Sequence, residues 1–346
     1  MNTSSASVTE HHKSSGSSLW TAVGAVVIGR NEGRRLEQCL RSLVLSLDRI
    51  VYVDSGSTDG SCELAEALGV EVVSLDLSIP FTAARARNEG VAALRQTWPD
   101  TEFVQVIDGD CTIADGWLEN AFFAIRANSQ IAIVCGQRRE QAPEATIYNQ
   151  LCAQEWFGAA GEIESCGGDA LIRLSAFGQV QGYNASLIAG EEPEMCVRLR
   201  SRDWKIVRLA DDMTWHDAAM TTFGQWWKRA KRAGHAYAEG CALHGRTTGF
   251  RKKDVRSIVF WAGVMPVLAL AAAWPTYGGS LLAAVLLYAR QIRRIAAYRK
   301  SVGDSPAAAR RYARFTVLGK WPQLAGVLQY WKNRLLRRSS RLIEYK

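Results

Sequence analysis

The segment FVQVIDGDC, residues 103–111, runs a strand-like apolar stretch into Asp108 and Asp110, with only Gly109 between them. Side chains two apart on an extended strand face the same way, so this pair can present two carboxylates on one side where the strand ends. Hard divalent cations such as magnesium or manganese take oxygen ligands, and they commonly reach a protein through one or two carboxylates plus substrate phosphates. Asp and Gly are also ordinary turn residues, so the same letters could simply stop a strand. A second acidic group, GEEPE at 190–194, sets Glu191, Glu192 and Glu194 close together. Adjacent carboxylates raise the proton affinity of one of them, which suits a general base, whereas acids opening a helix also complement its dipole.

The elements that position these groups follow from an alternating pattern. From Ala22 to about Val134, apolar runs (AVGAVVIG, RIVYVDSG, VEVVSL, FVQVIDGD) alternate with helical periods (RRLEQCLRSLVLSL, DGSCELAEAL, TAARARNEGVAALRQ). Such alternation predicts an open α/β sheet, mostly parallel, with helices on both faces. Ligands bind these sheets beyond the carboxyl ends of the strands. GRNEG at 29–33, DSGSTDG at 54–60 and DGDC at 108–111 all fall at such ends. The stretch from 136 to 245 is more mixed. It contains CGGDALIR at 166–173, where two glycines permit close backbone approach, and FGQWWKRAKRAG, which has a helical period and a basic face.

At 346 residues, 48% of them hydrophobic, the chain can bury a sizeable core. Its eight cysteines form no CxxC pair or zinc-spaced cluster and read as reduced cytosolic thiols, mostly in the core; no apolar segment with a small-residue cleavage site opens the chain. Residues 1–19 are small and polar and read as a flexible tail. The net charge of +8 hides a split: after Gly245 there are 20 Lys and Arg against 3 Asp and Glu, a net +17, which leaves −9 on the rest. An acidic body and a basic tail call for separate explanations.

In that tail Ser257 to Trp274 is almost wholly apolar apart from Pro266, PTYGG follows, and SLLAAVLLYA resumes to Ala289. Neither piece reaches the roughly 20 apolar residues of a membrane-crossing helix. Arg251, Lys252, Lys253 and Arg256 precede the pair, and Arg290, Arg293, Arg294, Arg299 and Lys300 follow it. This flanking puts both ends on the cytoplasmic side of a helical hairpin, full or re-entrant, near 257–289. The alternative is a buried helical pair in a soluble bundle. Beyond it, aromatics and basic residues interleave as in helices lying in an anionic lipid interface. The charges border apolar spans rather than forming a groove with stacking aromatics, which argues against a nucleic-acid partner.

Taken in order, VVIGRNEGRRLEQCLRSL, VDSGSTDGS, TAARARNEG, VIDGDC, GEEPEMCVRLR and FGQWWKRA resemble the inverting family 2 of nucleotide-sugar glycosyltransferases, with the GT-A fold, over about residues 22 to 245. The resemblance implies a catalytic domain over 20–245, a basic, helical, membrane-associated region over 246–346, and transfer from a nucleoside-diphosphate sugar with a divalent metal, Mn2+ or Mg2+, bridging the diphosphate. It implies that Glu32 contacts the ribose or base. Asp54 stands where the family commonly shows two successive acids, the second here being Ser55; Asp59 reads as a helix cap. Arg87 and Asn88 look like the donor-side pair, although an Arg on a solvated helix face has the same pattern. DGD matches the DxD position, with Asp110 as metal ligand and Asp108 on the ribose or a metal-bound water. His216 either completes the metal site or is structural. Glu192 aligns with the family's general base, with Glu191 beside it, where an Asp is more usual. Asp169 is a candidate contact to sugar or acceptor hydroxyls. Gln225, Trp226 and Arg229 stand in a departed form of the QxxRW-type segment, either toward acceptor, sugar and diphosphate or on an amphipathic approach to the membrane.

The expectation is a metal-dependent transferase at the cytoplasmic side of the cell membrane. Its partners are a nucleoside-diphosphate sugar, a polysaccharide or lipid-linked acceptor, and membrane lipids. Two rivals remain: a nucleotidyltransferase on a related α/β sheet, for which GRNEG is a poor phosphate loop, and a non-catalytic membrane protein that binds nucleotide sugars.

Overall fold

Nine strands form one sheet in the computed structural model, which describes residues 21–338; the expected polar tail at 1–19 lies outside the described residues. The strands are β1 (Val23–Gly29), β2 (Ile50–Asp54), β3 (Glu71–Ser74), β4 (Phe103–Asp108), β5 (Cys111–Ile113), β6 (Ile131–Glu140), β7 (Gly161–Glu162), β8 (Ala170–Arg173) and β9 (Lys205–His216). Their spatial order is β3-β2-β1-β4-β8-β6-β9-β5, with β7 on β9. The first four are parallel, as the alternating pattern predicts. β8 then runs antiparallel between β4 and β6, and β5 and β7 run antiparallel to β9, so the sheet as a whole is mixed. The antiparallel pairings draw on the stretch from 136 to 245, where the sequence shows no clean alternation.

β1, β2 and β4 are buried almost throughout, which is why they read as continuous apolar runs. After β1 the chain builds outward through β2 and β3, then returns to place β4 on the other side of β1. The order reverses there, and a crevice opens beyond Gly29 and Asp108. Helices α1 (Arg34–Val44), α2 (Ser61–Ala67), α3 (Ala83–Thr97), α4 (Trp117–Ala127), α5 (Ile147–Trp156), α6 (Leu174–Gln179) and α7 (Glu191–Arg200) connect these strands. All eight cysteines are free thiols, six of them buried.

Helix α8 (Phe223–Thr248) opens on a capping box made by Thr222 and Gln225 and stops at Gly249, whose φ of 76° suits glycine. The boundary expected at 245 therefore falls inside a helix. Beyond it α9 (Lys252–Val259), a π-helical turn (Phe260–Val264) and α10 (Met265–Ala271) form one helical run. Pro266 has no N–H to give the ladder, and the widened turn before it, closed by Met265 N–H on Phe260 O, lets the helix continue through the residue that interrupts the apolar stretch. A turn leads to α11 (Gly279–Ser301), and α12 (Pro306–Leu318) and α13 (Lys320–Leu335) follow.

Helix α13 lies against α8 at backbone contact. A Cβ on Gly326 would stand 2.0 Å from Lys231 O, and one on Gly234 would stand 2.0 Å from Gln323 O. Neither neighbour is a side chain that could turn aside, so the crossing depends on both glycines. Gly326→Ala is expected to lower stability by about 1–3 kcal/mol or more through overpacking. A lowered midpoint in thermal unfolding of the full chain in detergent checks it.

Candidate active site

The loops leaving β1 and β2 are laced together. Asn31 N–H donates to Ser57 Oγ at 2.8 Å, Thr58 N–H to Asn31 Oδ1 at 2.8 Å, and Gly33 N–H to Asp59 Oδ2 at 2.9 Å. Asp59 Oδ1 also accepts from Ser61 N–H at the start of α2; the N-cap position itself is Gly60, so Asp59 serves as a tie between the loops rather than as the expected cap. Asp54, 4% exposed, is committed to its own turn: Oδ2 takes the N–H groups of Gly56 (2.8 Å) and Ser57 (2.9 Å), and Oδ1 takes the Tyr52 hydroxyl (3.0 Å). Burial pushes its pKa up, but the hydrogen bonds from Ser57 and Gly56 outweigh it and hold the carboxyl below its ordinary value. Asp54 is thus held within its own turn, and the neighbouring Ser55 lines the crevice. That crevice is a cavity of about 650 Å3 whose lining includes Glu32, Ser55, Phe81, Asp108, Asp110, Arg138, Trp156 and His216. Glu32 is ion-paired with Arg35 at 2.7 Å on its rim.

Arg87, 2% exposed, is far from a solvated face. Its Nη2 donates to Asp108 Oδ1 at 2.6 Å and its Nη1 to Glu191 Oε1 at 2.7 Å. Arg138 Nη2 lies 2.6 Å from Asp169 Oδ2 and 3.5 Å from Asp108 Oδ2. Burial raises the Asp108 pKa, and the two guanidiniums more than reverse this, so the carboxyl stays below its ordinary range. Asp169 is wholly buried and accepts from Asp108 N–H (3.1 Å) and the Thr214 hydroxyl (2.8 Å). Asp169, expected at the sugar or acceptor, here fastens the end of β4. The side chain of Asn88, expected at the donor side, exchanges hydrogen bonds with Tyr183 N–H (2.9 Å) and Tyr183 O (2.8 Å). Gly168 gives the close approach expected of the glycine pair, for a Cβ there would stand 2.9 Å from Arg138 Nη2 and 3.0 Å from Asp108 Oδ2.

Pairing of β5 with β9 sets Cys111 opposite His216 and brings the imidazole Nε2 to 3.4 Å from Asp110 Oδ1. On its other side Nδ1 stands 3.8 Å from Glu140 Oε2 without a hydrogen bond, and the Trp156 ring meets the imidazole edge-on at 4.5 Å. Asp110, Cys111 and His216 offer ligand atoms within 4.8 Å of one another. One carboxylate and one imidazole are a donor set that fits manganese. Burial pushes the His216 pKa down, but Asp110 and Glu140 outweigh it and hold the pKa above its ordinary value.

Gly190 turns the chain into α7, where successive side chains point about 100° apart. Glu191 consequently faces a second cavity of about 650 Å3. Its Oε1 is on Arg87, while Oε2 takes no hydrogen bond among the described residues. Glu192, 5% exposed, points away, and its Oε1 accepts from Cys166 N–H (2.6 Å), Cys166 Sγ (3.1 Å) and Cys196 Sγ (2.9 Å). Burial raises its pKa. Glu192, the expected base, thus secures the loop at 166–168 rather than lining either cavity. Glu194 pairs with Arg198 (2.7 Å) and His244 (2.8 Å), joining α7 to α8. Gln225 closes the capping box of α8 with Thr222. Trp226 is buried edge-on against Phe315 at 5.0 Å while lining the second cavity. Arg229 pairs with Glu155 at 2.7 Å and, with Arg232, lines both cavities.

Residues 25–167, which hold β1, β4 and the DGD turn, match the family model "Glycosyl transferase family 2". The succinoglycan biosynthesis protein ExoA of Rhizobium meliloti (strain 1021) is 27% identical over 278 residues, 72% of this chain and 82% of that protein. Among solved structures, the mannosyltransferase PcManGT from Pyrobaculum calidifontis, in complex with GDP-Man and Mn2+, shares the fold at a TM-score of 0.63 and 18% identity over 90% of this chain and 88% of that one. Residues 25–167 thus carry a family 2 glycosyltransferase domain, and together with the ExoA likeness this supports an enzyme that moves a glycosyl group from a nucleotide sugar. This sets aside the nucleotidyltransferase expectation.

Sequence reasoning passed over Arg138, Glu140 and Trp156. A signal exists for the first two: IAIVCGQRRE begins as an apolar strand and ends in charges that are largely withdrawn from solvent. Arg138→Met would leave the wholly buried Asp169 without its cation, while Asp108 keeps Arg87. A loss of about 3–5 kcal/mol is expected, as for a broken buried pair, and chemical denaturation of the variant measures it.

Proposed function

We propose that the chain transfers a sugar, with inversion at the anomeric carbon, from a nucleoside-diphosphate sugar in the first cavity to a glycan or lipid-linked acceptor in the second, at the cytoplasmic face of the cell membrane. The observation that carries this reading is the Arg87 bridge, since one buried guanidinium ties Asp108 at the donor cavity to Glu191 at the other. ExoA's role in succinoglycan biosynthesis and the GDP-Man and Mn2+ held by PcManGT support the acceptor class, the donor class and the metal.

In this reading Asp110 and His216 would hold Mn2+ or Mg2+, with Asp108 at the ribose or a metal-bound water. The cation would supply charge stabilisation for the departing nucleoside diphosphate. Glu32 and the laced loops bound the nucleoside end of the cavity. Arg229 and Arg232 stand where the cavities meet and complement anionic charge there. Glu191 Oε2 accepts the proton of the acceptor hydroxyl as that oxygen attacks the anomeric carbon from the face opposite the leaving group. In this reading Glu192, buried among thiols, ties the loop at 166–168 and Glu191 takes the proton.

The membrane reading rests on the hairpin. Lys252–Ala271 is long and apolar enough to cross a bilayer by length and composition, with mean hydropathy 1.5. Val267, Leu268, Leu270 and Trp274, together with Leu282, Val285 and Leu286 on α11, are each more than half exposed. An apolar patch of this kind, flanked by arginines and lysines, suits a lipid surface.

The test is nucleoside diphosphate release from a panel of nucleotide sugars, with the anomeric proton of the product read by NMR. Chelator and Asp110→Ala are each expected to abolish turnover, and the product is expected to have the configuration opposite to the donor. Glu191→Gln is expected to lose about 100- to 10,000-fold in kcat. Undiminished turnover in Glu191→Gln would remove that residue from the base role. For the membrane, Leu268→Asp combined with Leu286→Asp is expected to move the protein from the membrane fraction to the supernatant; unchanged sedimentation would show that the hairpin is not the anchor.

A further inference from the structure

The second cavity is walled to a large extent by residues beyond the segment that matches the family. Tyr237 of α8, Arg251 and Asp254 at the start of the hairpin, Tyr312 of α12 and Lys320 of α13 all line it, opposite Glu191 and Gly168. Its acids are already answered: Glu191 by Arg87 at 2.7 Å, Glu155 by Arg229 at 2.7 Å, and Asp254 by Arg251 at 3.3 Å. Arg251 in turn lies over the Tyr237 ring at 4.6 Å. Lys320 differs from these cations. It is half-buried, and its ammonium makes no hydrogen bond or ion pair among the described residues. Burial depresses its pKa, only partly opposed by the charge of Asp254. A desolvated cation that lines a cavity without a partner is costly unless an anion completes it.

We infer that Lys320 is the anchor of an anion subsite in the acceptor cavity, and that it holds the phosphate or diphosphate by which an acceptor sugar is joined to its lipid carrier. This rests on the reading of the second cavity as the acceptor site and adds the group that the acceptor must carry. The position of the subsite supports a lipid-borne phosphate over a free one. Asp254 lies on α9, so the same cavity wall continues into the exposed apolar hairpin along which a lipid chain can leave. Aromatic Tyr237 and Tyr312 line the same cavity as Asp254 and Glu191, where sugar rings can pack.

The experiment is equilibrium binding of a short-chain prenyl diphosphate to the full-length protein in detergent, with chelator present so that a metal-dependent donor site is silent. Wild type is expected to bind it, Lys320→Gln to bind at least tenfold more weakly, and Lys320→Arg to recover most of the affinity. Asp110→Ala, which alters only the donor side, is expected to bind like wild type. Equal binding by wild type and Lys320→Gln would overturn the subsite, as would equal affinity for the uncharged prenyl alcohol. Inorganic pyrophosphate binding as tightly as the prenyl compound would overturn the lipid-borne source. Because no turnover is read, failure of sugar transfer with this binding pattern intact would count against the transferase chemistry alone.

Discussion

A buried charge has to be paired, and the centre of this molecule is organised by that requirement. Arg87 and Arg138 are both withdrawn from solvent, and between them they meet Asp108, Asp169 and Glu191. Three carboxylates thus share two guanidiniums, and Asp110 adds a further carboxylate beside them. The excess of negative charge on the donor side is the electrostatic setting in which a divalent cation and a diphosphate bind together. The same pairing fixes geometry. Arg87 holds Asp108 and Glu191 from one planar fork, so the donor end of β4 and the first turn of α7 keep a set relation.

The sheet supplies the positions that the charges use. Because the strand order reverses between β1 and β4, the ends of β1, β2 and β4 converge on one crevice. His216 comes from a different part of the chain. It reaches Asp110 because β5, only three residues long, pairs back on β9. The C-terminal helices complete the other side. The glycine-mediated crossing of α8 and α13 brings Lys320 and the α12 aromatics to the wall that faces Glu191. The helical region therefore shapes the second cavity as well as presenting an apolar hairpin.

The parallel half of the sheet was legible in the sequence because β1, β2 and β4 are buried almost throughout and read as unbroken apolar runs. The DGD turn, the Glu191–Glu192 pair and the apolar hairpin were legible as motifs. What the letters did not carry was direction. Asp54, Asn88 and Asp169 sit in motif positions, yet backbone and neighbouring side chains take up their polar atoms, and only the folded path shows that. Whether Glu191 or Glu192 faces a cavity depends on the rotation of α7, which is fixed where Glu192 takes the N–H and thiol of Cys166. Gln225 could have been read correctly from sequence alone, since Thr222 followed by Gln225 three residues later is a capping-box pattern. Lys320 gave no local signal, because its significance lies in partners it does not have.

The central claim is a division of labour among carboxylates, with the cation on Asp110 and His216 and the proton on Glu191. A titration of the full-length protein with Mn2+, followed by electron paramagnetic resonance in the presence of a nucleoside diphosphate, tests it most directly. The expected result is a single bound Mn2+ that is lost in Asp110→Ala and retained in Glu191→Gln with affinity close to wild type. Mn2+ binding that survives Asp110→Ala, or that is lost equally in Glu191→Gln, would contradict the division.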